Sequence, residues 1–396
     1  MKLKKCLVCS NTFLLEFTEL GRHPLADSFI KKKDVSKKIP SERLTCNFCK
    51  ICNHLQLKYI IKANKRYNFV DYSYTSSNSK ISRDHLNSYY SFLTKEKSKI
   101  QNIAEIGAND GYLISRFKKN VKKICFEPSD HMDNILREKK LQNIKTFFEN
   151  TKKNYLDKFK NYFDLVIANN VVNHSDNPNK FFLNLKKILK EDGLISIEVP
   201  YAPWMIKKNK FDLIYHEHIN YFSIKSFITL CLKNKLFINK ILFPNYHGKM
   251  TRLLISKKNI HYKIPLEILN YEKNIFKYKH KFNHFIKKLK KKFLKKINLI
   301  KKNKQNIVIG VGASTKANTF INFMEFDNKK INFMTDSSRF KIGKYTPKSL
   351  IEIKQDIFLK KIKNKNIYLF FPTWNISSYL KKKIIKLNRK IKFINV

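Results

Sequence analysis

No stretch of this sequence approaches the roughly 18 consecutive apolar residues that cross a membrane. Met1-Lys2-Leu3-Lys4-Lys5-Cys6 also lacks the apolar segment of a secretory leader. A membrane span is therefore not expected, and the cytoplasm is the expected compartment. Acidic residues are few, 30 against 82 basic ones in 396 residues, for a formal charge of +52. A surplus of that size ordinarily suggests a polyanionic partner. Here it is nearly all Lys, spread along the whole chain beside abundant Ile and Asn and only 8 Gly. Such a pattern reads as a codon bias toward A and T, with Lys on exposed faces, and implies no specific nucleic-acid partner. The hydrophobic fraction of 43% excludes global disorder, and the length leaves room for two or three domains.

Cysteine is nearly absent after residue 52, where only Cys125 and Cys231 remain of 7. The other five, Cys6, Cys9, Cys46, Cys49 and Cys52, are crowded into the first part of the chain, which in a reducing compartment points to a metal and not to disulfides. Cys6-x-x-Cys9 and Cys49-x-x-Cys52 are two knuckles able to close a tetrahedral sulfur site around zinc. Cys46-x-x-Cys49 is an equally spaced alternative to the second. A closed four-thiolate site has no open position, so the ion would be structural.

Ile103-Ala104-Glu105-Ile106-Gly107-Ala108-Asn109-Asp110-Gly111 reads as a strand, a glycine turn and then a helix start near Leu113. This is the usual cradle for a nucleotide-like ligand, though without the Gly-x-Gly-x-x-Gly of a dinucleotide site. Ile124-Cys125-Phe126-Glu127-Pro128 is a second strand ending in an acid, and Glu127 is placed to take ribose hydroxyls. Further strands are read at Phe163–Asn170 and Gly193–Val199, with a helix around Phe181–Leu189 between them. Strands alternating with helices imply an α/β fold with a parallel, doubly wound sheet. Their order and spacing resemble those of S-adenosylmethionine-dependent methyltransferases, which implies that cofactor and assigns Glu105, Gly107, Asn109, Asp110, Gly111, Glu127, Pro128 and Asn170 to it.

Beyond the last of these strands lies Tyr215-His216-Glu217-His218, followed by Tyr221-Phe222-Ser223. Ionisable side chains hemmed by apolar ones after a strand's carboxyl end are poor core and good acid–base material. A metal reading is disfavoured, because adjacent residues cannot all face one ion and the His-Glu-x-x-His spacing is absent. His174 follows an earlier strand and could converge on the same cleft.

Taken together, these residues resemble, nearly end to end, the C-methyltransferases that act on nucleotide-linked keto-deoxysugars. Leu20-Gly21-x-x-Pro24-Leu25-Ala26-Asp27-Ser28-Phe29 and Cys49-x-x-Cys52-Asn53-His54-Leu55-Gln56-Leu57 match the family's zinc module, which favours Cys6, Cys9, Cys49 and Cys52 over Cys46. Tyr215-x-Glu217-His218 matches its catalytic signature, with His216 at a position that is often Asp. Asp71-Tyr72-x-Tyr74-x-Ser76-Ser77 matches its tyrosine-bearing substrate segment. In the C-terminal third, His247-Gly248-Lys249-Met250-Thr251-Arg252 stands where the family tends to have His-Gly-Gly-Ser-x-Arg. A long amphipathic helix follows, with Phe282, Phe285, Ile286, Leu289, Phe293, Ile297 and Ile300 as its apolar stripe. A second strand and glycine turn, Ile307–Thr319, begins a Rossmann-like domain.

The resemblance implies three parts: a zinc module over 1–66, the methyltransferase domain over 67–240 and a nucleotide-sugar-binding domain over 241–396. It implies His218, Glu217, Tyr215, His174 and Tyr74 as catalytic residues. His247, Arg252, Gly312, Lys316, Asn318, Lys344 and Tyr345 are implied to bind substrate. Carbon methylation needs a carbanion equivalent, and a ketone supplies one when a neighbouring carbon loses its proton. His218 is expected to take that proton and Glu217 to orient or assist it, although their roles could be exchanged. Tyr215, His174 and Tyr74 would hold the keto oxygen. A nucleic-acid methyltransferase, for which no Asn-Pro-Pro-Tyr motif is seen, and a non-catalytic nucleotide-sugar binder are the alternatives. A monomer or small homo-oligomer is expected.

Overall fold

The computed structural model describes residues 1–68, 75–387 and 391–394. Its strands run in chain order as β1 (Leu14–His23), β2 (Glu42–Cys49), β3 (Leu55–Leu57), β4 (Asn102–Ile106), β5 (Lys122–Phe126), β6 (Gln142–Ile144), β7 (Phe163–Asn169) and β8 (Leu189–Pro200). They continue as β9 (Asn220–Tyr221), β10 (Phe237–Leu242), β11 (Met250–Ser256), β12 (Asn306–Val311), β13 (Phe333–Asp336), β14 (Ile353–Gln355), β15 (Asn366–Phe370) and β16 (Ile391–Phe393). Among the described residues they form three sheets, ordered β1-β2-β3-β9, β10-β11-β8-β7-β4-β5-β6 and β14-β13-β12-β15-β16.

The middle sheet is parallel from β8 to β6, with β10 and β11 antiparallel at one edge. Apolar runs such as Leu165-Val166-Ile167-Ala168 suit strands buried on both faces, and all four of these residues are buried. The boundary expected after residue 240 is corrected by this sheet. It would cut β10, whereas β10 and β11 return as a hairpin against β8, so the middle domain's sheet continues through Ser256. His247 and Arg252 accordingly sit on the middle domain's hairpin and not on the third sheet.

The first sheet is antiparallel and borrows its last strand. Leu55 pairs with Tyr221 and Gln56 with Asn220, so β9, just beyond His218, completes the sheet that carries Cys49. The third sheet is parallel throughout.

The long helix Tyr278–Lys301 joins the first and third sheets. Its Phe282 meets Phe17 of β1 with ring centroids 5.4 Å apart, Asn283 accepts from the Thr18 hydroxyl at 2.7 Å, and Phe293 meets Phe370 of β15 at 5.7 Å. Phe282, Ile286, Phe293, Ile297 and Ile300 are buried, but Phe285 departs from the expected stripe and is 40% exposed. Among the described residues no helix is long and apolar enough to cross a membrane.

Candidate active site

Two tight turns shape the metal centre. Ser10 and Asn53 both take positive φ, 67° and 56°, and let the chain double back behind Cys9 and Cys52. The ligand atoms of Cys6, Cys9, Cys49 and Cys52 all lie within 4.8 Å of one another, with the Cys6 and Cys52 sulfurs 3.6 Å apart and those of Cys9 and Cys49 3.5 Å apart. Four thiols converging in this way fit a structural zinc ion. Cys46 is not among them: it faces the apolar core from β2, where burial raises its thiol pKa. Gln56 ties the first knuckle to β3, accepting from the Leu7 amide at 2.8 Å and donating to the Lys5 carbonyl at 3.0 Å.

At the carboxyl ends of β4, β5 and β7 a cavity opens to solvent, with about 1000 Å³ of space when its open mouth is counted. Gly107, Asn109, Glu127, Pro128, Asn170 and His174 are among its lining. Gly107 has φ +63°, and a Cβ there would lie 2.5 Å from Val171 Cγ2, so the turn requires glycine twice over. Glu127 is buried at the end of β5 and accepts from the Asn109 and Ser129 amides, each at 3.0 Å. Burial raises its carboxyl pKa. A carboxylate has lone pairs beyond those two bonds, so a ribose diol at this rim fits it.

Glu105, Asp110 and Gly111 were expected at the cofactor and do not line this cavity. Glu105 accepts from the Ile114 amide at 3.0 Å and braces the turn from below, its pKa pushed up to about 8 by burial. Asp110 holds the Ser77 amide and hydroxyl. Gly111 supplies a second left-handed position, φ +67°.

The acid–base segment lies where β9 turns away from the middle domain. Its three central residues point in different directions. His216 Nε2 is 3.1 Å from the His23 carbonyl and 3.3 Å from that of Glu42, so it serves the zinc module, and burial lowers it to about 4. His218 packs behind the cavity-lining His174 and is not itself part of the lining. Its ring stands edge-on to His174 with centroids 4.8 Å apart, and its Nε2 is 2.6 Å from the Tyr215 hydroxyl. With its proton on Nδ1, the ring accepts from that hydroxyl through the one lone pair of Nε2. Burial, with His174 and Lys316 nearby, holds His218 well below its ordinary pKa, and burial lowers His174 to about 3. Both rings are therefore neutral at pH 7.

Glu217 Oε1 accepts from the Asp27 amide at 3.2 Å, while Oε2 is buried without a hydrogen-bond partner. Burial and then the Asp27 carboxylate push Glu217 up to about 7. Tyr74 lies outside the described residues.

From the third domain, Lys316 reaches the same cleft. Its Nζ is buried with no partner, 5.6 Å from the centroid of the Trp374 ring, and burial lowers it to about 8. Trp374 Nε1 donates to Asp212 at 2.5 Å, and His247 Nδ1 takes the Asn375 amide at 2.9 Å. Gly312 (φ +90°) precedes the helix Thr315–Phe323 that carries Lys316.

The other expected substrate residues do not converge here. Arg252 is stacked 3.8 Å over Tyr89 and bonds Glu198 at 2.6 Å, which also takes His85 at 2.6 Å. That buried trio is internal to the middle domain, so Arg252 is corrected from substrate ligand to framework. Asn318 donates to the Ala26 carbonyl at 2.6 Å, and the Tyr345 backbone pairs with Ile30, with Lys344 beside it. All three lie against the zinc module.

Asp27, Arg66 and Asp212 were not singled out as site residues. Arg66, fully buried, donates to Asp176 at 2.5 Å, to the His174 carbonyl at 3.1 Å and to the Glu217 carbonyl at 3.4 Å. It thereby fixes the His174 and Glu217 segments to each other. Its only trace in the sequence was a single arginine in a lysine-rich stretch.

Three family models match in tandem: a zinc binding domain over residues 6–67, a methyltransferase domain over 80–235 and a C-methyltransferase C-terminal domain over 267–395. The chain is similar to the C-methyltransferase NovU of Streptomyces niveus, 21% identical over 362 residues, covering 89% of this chain and 85% of that protein. Solved structures that resemble part of it include an S-adenosylmethionine-dependent methyltransferase from Thermotoga maritima, 19% identical, with 45% of this chain and 98% of that one covered at a TM-score of 0.32. Another is from Clostridium acetobutylicum, 11% identical, covering 46% and 93% at a TM-score of 0.35.

Proposed function

We propose, from the premise that the chain is an S-adenosylmethionine-dependent C-methyltransferase with a structural zinc module, that its substrate is a nucleotide-linked keto-deoxysugar of the dTDP type. The reaction would add a methyl group to the carbon beside the ketone, in the cytoplasm, as a step in deoxysugar or surface polysaccharide assembly. The observation that supports this reading most is the position of His174, which lines the Glu127 cavity and also packs 4.8 Å from His218. One histidine thus joins the cofactor side of the cleft to its acid–base side.

When bound, S-adenosylmethionine supplies an electrophilic methyl group, and Gly107, Asn109, Glu127, Pro128 and Asn170 would hold it. The remaining chemistry belongs to the chain. Once the Tyr215 hydroxyl turns from it to the keto oxygen, His218 Nε2 offers its lone pair to the proton on the carbon beside the ketone. Glu217, one carboxylate oxygen free, orients the segment or shares that proton. Tyr215, His174 and Tyr74 donate to the keto oxygen as it gains charge. Lys316, His247 and the Gly312 turn would bind the nucleotide-sugar from the third domain.

The test is a screen of dTDP-4-keto-6-deoxy sugars with labelled donor, reading where the new carbon–carbon bond forms. His218→Asn is expected to lose transfer by 10²-fold or more, on the order of a general-base contribution, while calorimetry still detects donor binding. Wild-type turnover in His218→Asn would exclude it as the base. Glu127→Ala should instead weaken donor binding by roughly 10-fold to 100-fold.

A further inference from the structure

The zinc module extends beyond its metal. Between β1 and β2, the segment 24–30 leaves the first sheet and enters the cleft between the middle and third domains. It is closed on itself by the Ser28 hydroxyl donating to the Leu25 carbonyl at 2.6 Å and the Phe29 amide to the Asp27 carbonyl at 3.0 Å. Two side chains of the helix Thr315–Phe323 clamp it: Asn318 donates to the Ala26 carbonyl at 2.6 Å and the Thr315 hydroxyl donates to Asp27 Oδ1 at 3.2 Å. The Asp27 amide, held there, donates to Glu217 Oε1. Among the described residues no other hydrogen bond to that carboxylate is seen, and Oε2 has none.

We propose that Asp27 is a positioning residue for methyl transfer. Its backbone fixes the Glu217 carboxylate, and its side chain, tied to Thr315, links that carboxylate to the domain that receives the sugar. The inference rests on the reading that Glu217 works in the reaction.

A carboxylate taken from water is expensive unless hydrogen-bonded, so a residue holding Glu217 with one amide leaves it poised between charged and neutral forms. The charged groups facing Glu217 are Asp27, from the zinc-module segment, which raises its pKa, and Arg66, from the helix Ala63–Asn68, which lowers it. Asp27 is faced in turn by Lys341 and Asp336 of the third domain. The flanking His216 and His218 are neutral at pH 7. Removing the Asp27 charge therefore leaves Arg66 unopposed and favours ionised Glu217.

The experiment is an infrared titration of protonated carboxyl groups in the full-length, zinc-loaded chain, with the Glu217 band identified as the one missing from Glu217→Gln. That band should titrate near pH 7 in the parent and at distinctly lower pH in Asp27→Asn. In the same variant the pH at which kcat rises should fall together with the band, while the Kd for S-adenosylmethionine stays within twofold. Thr315→Val leaves every charge in place, guards against a folding defect in Asp27→Asn, and should move the band in the same direction by less, since the lost hydroxyl favours the ionised form of Asp27. A band unmoved in both variants, with parental kcat, overturns the role of Asp27. If Glu217→Gln itself keeps parental kcat, the underlying reading of Glu217 fails, and this inference with it.

Discussion

Two neighbours, Glu217 and His218, are displaced in opposite directions by the same burial: the carboxyl rises to about 7, and the imidazole falls well below its ordinary value. Desolvation disfavours whichever form is charged, so each is driven toward neutrality. A group that must be deprotonated to act loses activity as pH falls through its pKa. The kcat/KM of the parent chain is therefore expected to rise through about pH 7 and level off above it, because Glu217 must ionise. Glu217→Gln should be slower and flat down to pH 6. A rise at the same pH in Glu217→Gln would assign it to another group. Arg252 is governed by different physics. It is buried against fully buried Glu198, so Arg252→Ala leaves that carboxylate with only the His85 ring and should cost about 3 kcal/mol in urea unfolding. A substrate ligand would instead raise KM with stability unchanged.

Elements joined across long sequence separations set the geometry of the cleft. β9 is only two residues long, yet it pairs with β3 from more than 160 positions away and begins directly after Ile219, whose own carbonyl accepts from the Leu57 amide at 2.9 Å. The zinc-bound sheet and His218 are thus mechanically adjacent. Chelating the zinc should raise amide exchange in β2 and β3 and equally over 215–221, and should leave β4 and β5 protected; exchange confined to the first sixty residues would separate the module from the site. The parallel strands were readable because burial on both faces demands apolar runs, as in Leu165-Val166-Ile167-Ala168 of β7, and the glycine turn was readable because Gly107 has no substitute there. β9 was not, since two residues carry no period and their partner is remote. The β10–β11 hairpin was missed for another reason: neither strand alternates, β11 being buried along its whole length, and only pairing with β8 assigns it to the middle domain. Asp27 was legible as part of a motif but not as a site residue, because what it touches, Glu217 and Thr315, lies 190 and 288 positions away.

Across the whole molecule, one hydrophobic core joins the first and third sheets, running from Phe17 and Phe48 through Phe282, Ile286 and Phe293 of the long helix to Phe320 and Phe370. The middle sheet has its own two clusters, one of which includes the zinc-site Cys6, Cys49 and Cys52, with Cys9 packed against it. The first and third parts therefore cannot loosen independently, although their sequences are separated by the entire methyltransferase domain. Phe282 is the link, fully buried and in ring contact with β1. Phe282→Ala should cost about 3–5 kcal/mol, the usual range for emptying a buried aromatic site, and the loss should be shared by the two ends. Limited proteolysis, followed by identification of the cleavage sites, would read this directly. Cuts are expected both in the 24–41 segment between β1 and β2 and around 340–350, where Tyr345 pairs with Ile30. The chain between β4 and β8 should resist. Cleavage at one end alone would mean that the helix packs on two separate cores, and that Asp27 and Lys316 are brought to the cleft by different forces.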